Sequence, residues 1–553
     1  MCPATGLTEF ARKCINNITR DHIAEPVLLI LAENVGGRRS IGAKIRESIR
    51  HGENLWRLQT KLFPPSRIEA FRTQPLDECL PGIERIACKP ELKGKWSQYF
   101  RAGDVAEIQS RNLDFILKFA YGIIRGEILQ AARYGVWSFH HGDEEKYRGR
   151  PPGFWEIYHG DPMTGALLQR LTDRLDGGIV LKKCFVSTNG VSFRANLQRI
   201  KESSWHMVRW ACLDAIRGDL SSFQAAPSRT VAPISRAPND LQMMRFWMRL
   251  TGNWFRRKLA SQRVDQSNVG VVNEPQQKFL DPEFTPTIEW SAYKGYGQMV
   301  ADPFLIPDQY SVRILVKEFN WPTEKGRISE LRGRGTETRV TPVIDEGRHM
   351  SYPYVFSHDG AIYAIPECSE SKSILLYRLD EPTGTWRRQT TLIDDVDAVK
   401  TTVFQYGELW WLMHSGSSGC GPWSLYLWHS HSLLGPWRPH VANPVKIDVS
   451  CTRPAGNPFW HEGRLYRPAQ DGRTGYGGSL CINCIQELNL NVFRETVVRR
   501  IGPNPQSRYP HGLHTLSGYG RLSVVDGTRR TWPLRLLLER QLTKHLHFRL
   551  RGI

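Results

Sequence analysis

The sequence predicts two structural classes in one chain: an α/β half with a mostly parallel sheet, then an all-β half folded as a five-bladed propeller. Three observations carry this expectation. Apolar strand-like runs alternate with amphipathic helical stretches up to about residue 215, the pattern of an α/β sheet. A stretch rich in Ser, Ala, Pro and Arg follows, with the composition of a linker. From about residue 286 a strand, a Gly-ended turn and an aromatic-rich strand recur as one unit. The expected divisions are 1–215, 216–285, 286–530 and a basic tail or helix over 531–553.

In the first division Leu7–Thr19 and Ile41–Arg50 read as helices, and Val27–Ala32 as a buried strand. Phe115–Phe119 and Val136–Phe139 read as further strands, with a helix over Glu127–Arg133 between them. The linker holds one helix, about Asp240–Gln262. Its expected apolar stripe is Met244, Trp247, Met248, Phe255 and Leu259, with arginines on the other faces. In the last division PYVFSHDGAIYAIPE (353–367), TVFQYGELWWLMH (402–414) and PFWHEGRLYRPAQD (458–471) place turn glycines at 360, 407 and 463. That spacing is the length of one propeller blade. A weaker copy begins at Ala301, and 511–530 closes the ring, for five blades.

Composition narrows the classes. Hydrophobic residues are 40% and charged residues 23%, ordinary for a folded protein. The apolar runs fall far short of the ~20 residues a bilayer span takes. The opening MCPATGLTEFARK lacks a secretory pattern, which points to the cytoplasm. Eleven scattered cysteines point to free thiols, and the single pair Cys481–Cys484 reads as buried thiols, not a metal site. The net charge of +19 favours anionic partners. The basic residues form no reading stripe, so nucleic acid is disfavoured against phosphate-bearing small molecules or lipid headgroups. The tail carries seven Lys/Arg over 527–553 among seven leucines. It predicts either a packed helix or peripheral attachment to an anionic membrane.

The stretch GVWSFHHGDEEKYRGRPPGFWEIYHGDPMTGALLQRLTDRLDGGIVL (135–181) resembles the formyltransferase family that uses 10-formyltetrahydrofolate, including methionyl-tRNA and sugar N-formyltransferases. His140 stands at the family histidine, Arg148-Gly149 at its Arg-Gly, Gly160-Asp161 and Thr164-Gly165 at the next signals, and Leu175-Asp176-Gly177-Gly178 at Leu-Asp-x-Gly. Two departures stand beside these matches. Ser138 replaces the family's asparagine, and the opening strand is missing or lies upstream. The resemblance implies His140, Asp176 and Ser138 as catalytic residues, and Arg148, Gly149, Asp161 and Gly177 around 10-formyltetrahydrofolate. Formyl transfer to an amine develops an oxyanion and releases a proton. A histidine can take the proton, a carboxylate can orient it, and a donor at 138 can hold the oxyanion. The adjacent His140 and His141 would point to opposite faces of an extended segment, so no metal is expected there.

The β half, through ADPF (301–304), YPYVF (352–356), IPE (365–367) and RPAGNPFWHEGRLYRPAQD (453–471), resembles the N-terminal domain of glucosamine inositolphosphorylceramide transferases, itself similar to five-bladed glycoside hydrolases. This implies carbohydrate or glycolipid handling. Such glycosidases work with paired carboxylates in a central pocket. The candidates are Asp302, Glu318, Glu367 and Asp471, with Arg453, Arg467 and His349 suited to an anionic sugar. Three functions follow as expectations. The first is formyl transfer to an amino sugar, or to its nucleotide- or lipid-linked form, with the propeller binding glycan. The second is a propeller-based glycosidase or glycosyl-transfer enzyme. The third is a non-catalytic glycan-binding scaffold.

Overall fold

The computed structural model describes residues 1–32, 52–94, 97–174, 177–293, 298–308, 311–333, 338–417 and 421–532. The expected helix Ile41–Arg50, the residue Asp176 and nearly all of the basic segment 531–553 lie outside these. Two compact units divide the chain, Met1–Phe255 and Arg256–Ile553. No helix among the described residues is long and apolar enough to cross a membrane.

The first unit is built on β1 (Cys2–Pro3), β2 (Leu28–Ala32), β3 (Glu84–Cys88), β4 (Ile116–Lys118), β5 (Val136–His140), β6 (Met163–Arg170) and β7 (Ile179–Ser187). Strands β1, β2 and β3 pair in parallel, as do β4 and β5. The Met1 amino group donates to the Leu117 carbonyl (2.8 Å) and Phe119 N–H to the Met1 carbonyl (2.9 Å). The order is therefore β3-β2-β1-β4-β5-β6-β7. A short strand stands where none was expected, at Cys2–Pro3. One strand breaks the parallel run: β6 pairs antiparallel with both β5 and β7. The β6–β7 link is a hairpin, which reverses direction without a crossover helix. The expected helix at 127–133 is a short 3-10 turn, Glu127–Gln130.

Helix α1 (Glu9–Thr19) starts where Thr8 accepts a hydrogen bond from Ala11 N–H (3.2 Å), capping an otherwise orphaned donor. Helices α2 (Phe193–Ser204) and α3 (His206–Arg217) pack on β6 and β7. Helix α4 (Asp240–Ala260) carries the division at 255/256 within it. Its buried residues are Met243 and Phe246, and Phe246 stacks on Phe154 at 4.1 Å. The expected stripe is thus displaced: Met244, Met248, Phe255 and Leu259 are exposed. Asp240 accepts from Leu55 N–H (2.7 Å) and Trp247 donates to Gln59 (3.1 Å), which fixes the rotation of the helix.

The second unit holds five successive antiparallel sheets, the arrangement of a five-bladed propeller. Four are formed from consecutive strands: 298–344, 351–393, 398–439 and 459–501. The fifth joins both ends of the unit: Val264–Val272 pairs in register with Leu522–Thr531, from Val264↔Thr531 to Val272↔Ser523. The segment 216–285, read as a linker, therefore supplies a propeller strand. Its sequence, VDQSNVGVV, lacks the Gly-turn partner that marks the other blades, because its partner lies about 250 residues away in the chain. Gly360, Gly407 and Gly463 all sit at positive φ in the equivalent tight turn of three successive sheets.

Candidate functional site

The innermost strands of three successive sheets share one irregularity. Pairing skips between Ala301 and Phe304, between Ser351 and Tyr354, and between Val399 and Thr402. The skipped residues Asp302, Tyr352 and Lys400 lie at φ +53°, +44° and +58°. A left-handed backbone at three bulky residues costs on the order of 1–3 kcal/mol each and persists only where surrounding contacts hold it. The bulge re-aims each side chain out of the alternation of the strand. The fourth and fifth sheets carry Arg453 and His514 at the matching place, ahead of the pairing of Pro454 with Ala469 and of Leu516 with Val525.

These side chains converge. Lys400 Nζ lies 2.5 Å from Asp302 Oδ1, Lys317 Nζ 3.1 Å from Oδ2, and His514 Nε2 3.3 Å from Oδ1. Lys400 also lies over the Tyr352 ring, 4.5 Å from its centre. Tyr352 Oη accepts from Gly456 N–H (2.8 Å) and hydrogen-bonds Thr402 (3.2 Å), tying three sheets together. Asp526 accepts from the backbone N–H groups of Asp302, His514 and Thr515 at 2.9–3.1 Å, so it bridges the first and fifth sheets. Glu367, half-buried, accepts from Lys400 N–H (2.9 Å). Burial works against ionisation of Asp302, but Lys317 and Lys400 outweigh it and hold the carboxyl well below its usual range. Burial likewise pulls Lys317 down, and Asp302 raises it well above the ordinary lysine value.

Asp302, His514 and Asp526 have the donor types of a cation site, with atoms within 4.8 Å of one another. Both oxygens of Asp302 face lysine ammonium groups, however, so a divalent ion would meet two positive charges at its first ligand.

Of the residues expected to bind substrate, Asp302, Glu367 and Arg453 belong to this cluster. Arg467 does not. It is buried inside the fourth sheet, bidentate to Glu495 at 2.6 Å through Nε and Nη2, and donates to the Thr452 and Cys451 carbonyls. Asp471 does not either, being held by Arg473 and Arg500 at 2.7 Å each. Glu318 accepts from Arg327 and Ser329 of the first sheet and from Tyr293, which precedes it. In each case a charge inside one blade is matched within that blade, and the side chain is turned from the axis. Sequence reasoning missed Lys317, Tyr352, Lys400, His514 and Asp526. A signal for most of them exists in aligned blade starts: ADPF, SYPY, VKTT, TRPA and LHTL at 301, 351, 399, 452 and 513 each place the axial residue second, before Pro or Thr.

In the first unit Ser138 and His140 lie two residues apart on β5 and so share one face. His140 Nε2 lies 2.9 Å from the Tyr147 carbonyl, which can only accept, so Nε2 is the donor of that bond and, in the neutral ring, Nδ1 is the acceptor. His141, on the opposite face, sits against Phe10 and Phe139, and burial pulls its pKa well down. Lys118, the parallel neighbour of Ser138, is lowered to about 8, by burial first and then by Arg150. Asp161 is paired with Lys146 (2.9 Å) and accepts from Met163 N–H (3.2 Å). Arg148 donates to the Ala232 carbonyl (3.2 Å). Gly149 runs so close to the 234–235 strand that a Cβ would lie 2.1 Å from the Ser235 oxygen. Gly177 accepts from Thr172 (2.8 Å). These four are engaged by the unit itself. The expected His140–Asp176 pair lies outside the described residues.

Residues 284–508 match the family described as glucosamine inositolphosphorylceramide transferase 1, N-terminal. The rice (japonica) glucosamine inositolphosphorylceramide transferase 1 is 32% identical over 253 residues, 42% of this chain and 34% of the relative. The Arabidopsis thaliana protein of that name is 28% identical over 271 residues, 45% of this chain and 35% of the relative. The match thus spans about a third of the length of these relatives. A methionyl-tRNA formyltransferase of Gloeothece citriformis is 33% identical over 85 residues, 15% of this chain and 25% of the relative. Among solved structures, a family 117 glycoside hydrolase of Zobellia galactanivorans is 11% identical and covers 43% of this chain and 88% of its own, with a TM-score of 0.32.

Proposed function

We propose that this chain acts on a carbohydrate or glycolipid, and that the second unit holds the sugar at the cluster of Asp302, Tyr352, Lys400, Arg453 and His514. The single observation that carries this reading is that four sheets bring Asp302, Tyr352, Lys400 and His514 into one cluster, three of them from a left-handed backbone, with Arg453 at the matching place of the fourth sheet and linked to His514 through Tyr476. Four of the five lie within 284–508, the region similar to transferases named for a glycolipid. The cluster supports binding and orientation more than hydrolysis. Glycoside cleavage takes one carboxyl able to give a proton and another free to act as base or nucleophile. Asp302 is held ionised by two lysines, and Asp526 is saturated by three backbone donors. The test is calorimetric titration of the intact chain with amino, neutral and acidic sugars, repeated with Lys400→Met. Sub-millimolar binding of at least one sugar, lost in the variant, is expected. No binding by any of them refutes the reading.

A second reading assigns formyl transfer to an amino sugar to the first unit, favoured by the fixed tautomer of His140. Nδ1 is left to take the proton of an attacking amine, and Ser138 on the same face offers an O–H to the developing oxyanion. The donor, 10-formyltetrahydrofolate, supplies the activated one-carbon group. Arg148, Gly149, Asp161 and Gly177 already have partners inside the unit, so they do not fit as its cradle, and no step is derived through it. Titration with a reduced-folate analogue tests this reading. Binding, with transfer to glucosamine abolished by His140→Ala, supports it. Absence of binding removes it.

A further inference from the structure

We propose that Arg453 is the anchor for an oxyanion on the bound sugar, a carboxylate or a phosphodiester, beneath a cover formed by Tyr476. The inference rests on the reading of the axial cluster as a sugar site, and it specifies what kind of sugar.

Arg453 is 8% exposed. Among the described residues no carboxylate pairs with its guanidinium, and Nε has no hydrogen-bond partner. Every other deeply buried arginine or lysine in this unit has its anion: Arg467 has Glu495, Lys446 has Glu495, and Lys317 and Lys400 share Asp302. A buried cation without a partner carries a desolvation penalty of several kcal/mol. Arginine does not shed its proton to escape that cost. The fold therefore leaves one positive charge uncompensated at the matching axial position of the fourth sheet, where an incoming anion restores the balance. The planar fork of the guanidinium suits the two oxygens of a carboxylate or a phosphodiester.

What lies over the guanidinium is equally telling. Its centre is 5.3 Å from the ring of Tyr476, which is 52% exposed and also meets the His514 ring at 5.8 Å. Tyr476 stands in the turn GRTGYGG (472–478), between Gly475 at φ +116° and Gly477 at φ +68°, conformations that a side chain would strain. An aromatic ring over a cation is a weaker partner than a carboxylate. It shields the charge until a stronger partner arrives, and its flat face is suited to a sugar ring once the oxyanion is seated. Among the described residues, Arg453 is the cation of this cluster with no carboxylate beside it, whereas Lys317 and Lys400 share Asp302.

The probes are glucuronate for the carboxylate, glycerophosphoinositol for the soluble phosphodiester, phosphatidylinositol vesicles for the same group on a lipid, and N-acetylglucosamine as the neutral sugar. Calorimetry on the intact chain is expected to show at least tenfold tighter binding of one anionic probe than of the neutral sugar. In Arg453→Met that preference falls to near one, and Arg453→Lys, which keeps the charge but loses the fork, lies between. The thermal midpoint of ligand-free Arg453→Met is expected to equal or exceed that of the unsubstituted chain, since an uncompensated buried charge has been removed. Binding confined to vesicles identifies a lipid headgroup as the source, and binding of the soluble probes a free glycan; both support the anchor. Equal affinity for anionic and neutral sugars, or an unchanged preference in Arg453→Met, overturns the anchor while leaving the sugar site standing. Absence of binding by all four probes overturns both.

Discussion

Replacing Asp302 with Asn removes one charge from the axial cluster and almost nothing else. Asparagine has the same shape and tolerates the left-handed backbone that Asp302 adopts at φ +53°. The consequence falls on Lys400, whose side chain is 1% exposed, and on Lys317, at 10%. Both ammonium groups lose their only salt-bridge partner among the described residues. Breaking a buried pair by deleting one partner costs about 3–5 kcal/mol. For a unit of this size each kcal/mol moves the midpoint by about 2–4 °C, so a fall of roughly 6–20 °C is expected for the transition of the second unit. The double variant Asp302→Asn/Lys400→Met removes one orphaned ammonium and should recover at least about 1 kcal/mol of that loss. The pH dependence has a definite sign. Asp302 is held well below its unfolded value, so its stabilisation is present above about pH 4 and disappears as pH falls through the folded value. The assay is thermal unfolding of the intact chain followed by calorimetry between pH 3 and 7. A shift under about 2 °C in the single variant, or a double variant no more stable than the single, would refute the argument that Asp302 is the counter-ion of both lysines.

Two further outcomes follow from the same coordinates. Gly456 lies at φ +147° with room for no Cβ, since one would sit 1.7 Å from the Leu516 carbonyl. Gly456→Ala should cost more than about 3 kcal/mol and sharply reduce soluble yield. Gly407→Ala, in an open turn at φ +63°, should cost only about 1–2 kcal/mol. In the first unit Glu156 is 1% exposed, and burial pushes its pKa to about 8. Its folded form stays protonated, so stability is full below the unfolded value near 4.3 and is lost as pH rises toward about 8. Glu156→Gln should therefore raise the midpoint of the first unit at pH 8 and leave it unchanged at pH 4, as read by unfolding monitored at the two pH values.

Much of this architecture was legible in the chain because its signals are local. The alternation of VLLILA, DFILKF and VWSFH with helical stretches marked β2, β4 and β5 to within a residue or two. Gly360, Gly407 and Gly463 marked the hairpins of three blades, because a tight turn at positive φ demands glycine wherever it occurs. What local signals could not carry was the partner of a strand. The direction of β6 is seen only in its antiparallel pairing with β5 and β7, and the role of 264–272 depends on a strand that follows it by some 250 residues. The sequence placed those nine residues in a linker because the strand that pairs with all nine lies far along the chain, and only Gly270 and Val271 pair nearby, with Trp290 and Glu289.

The same distinction governs the site. The amino-acid sequence by itself determined which side chains can carry charge at the blade starts, and Asp302 and Arg453 stand out from it. It could not separate them from Arg467 or Asp471, which have the same chemistry and lie on neighbouring strands. Tertiary structure made that separation. A bulge at positive φ turns Asp302, Tyr352 and Lys400 to the axis, while Glu495 and Arg500, two strands away in the same sheet, and Arg473 in the following turn neutralise Arg467 and Asp471 inside one blade. Side-chain identity is a property of a position. Whether a charge is spent within the fold or left for a ligand is a property of what five distant segments bring within about 3 Å of it, and only closure of the ring decides that.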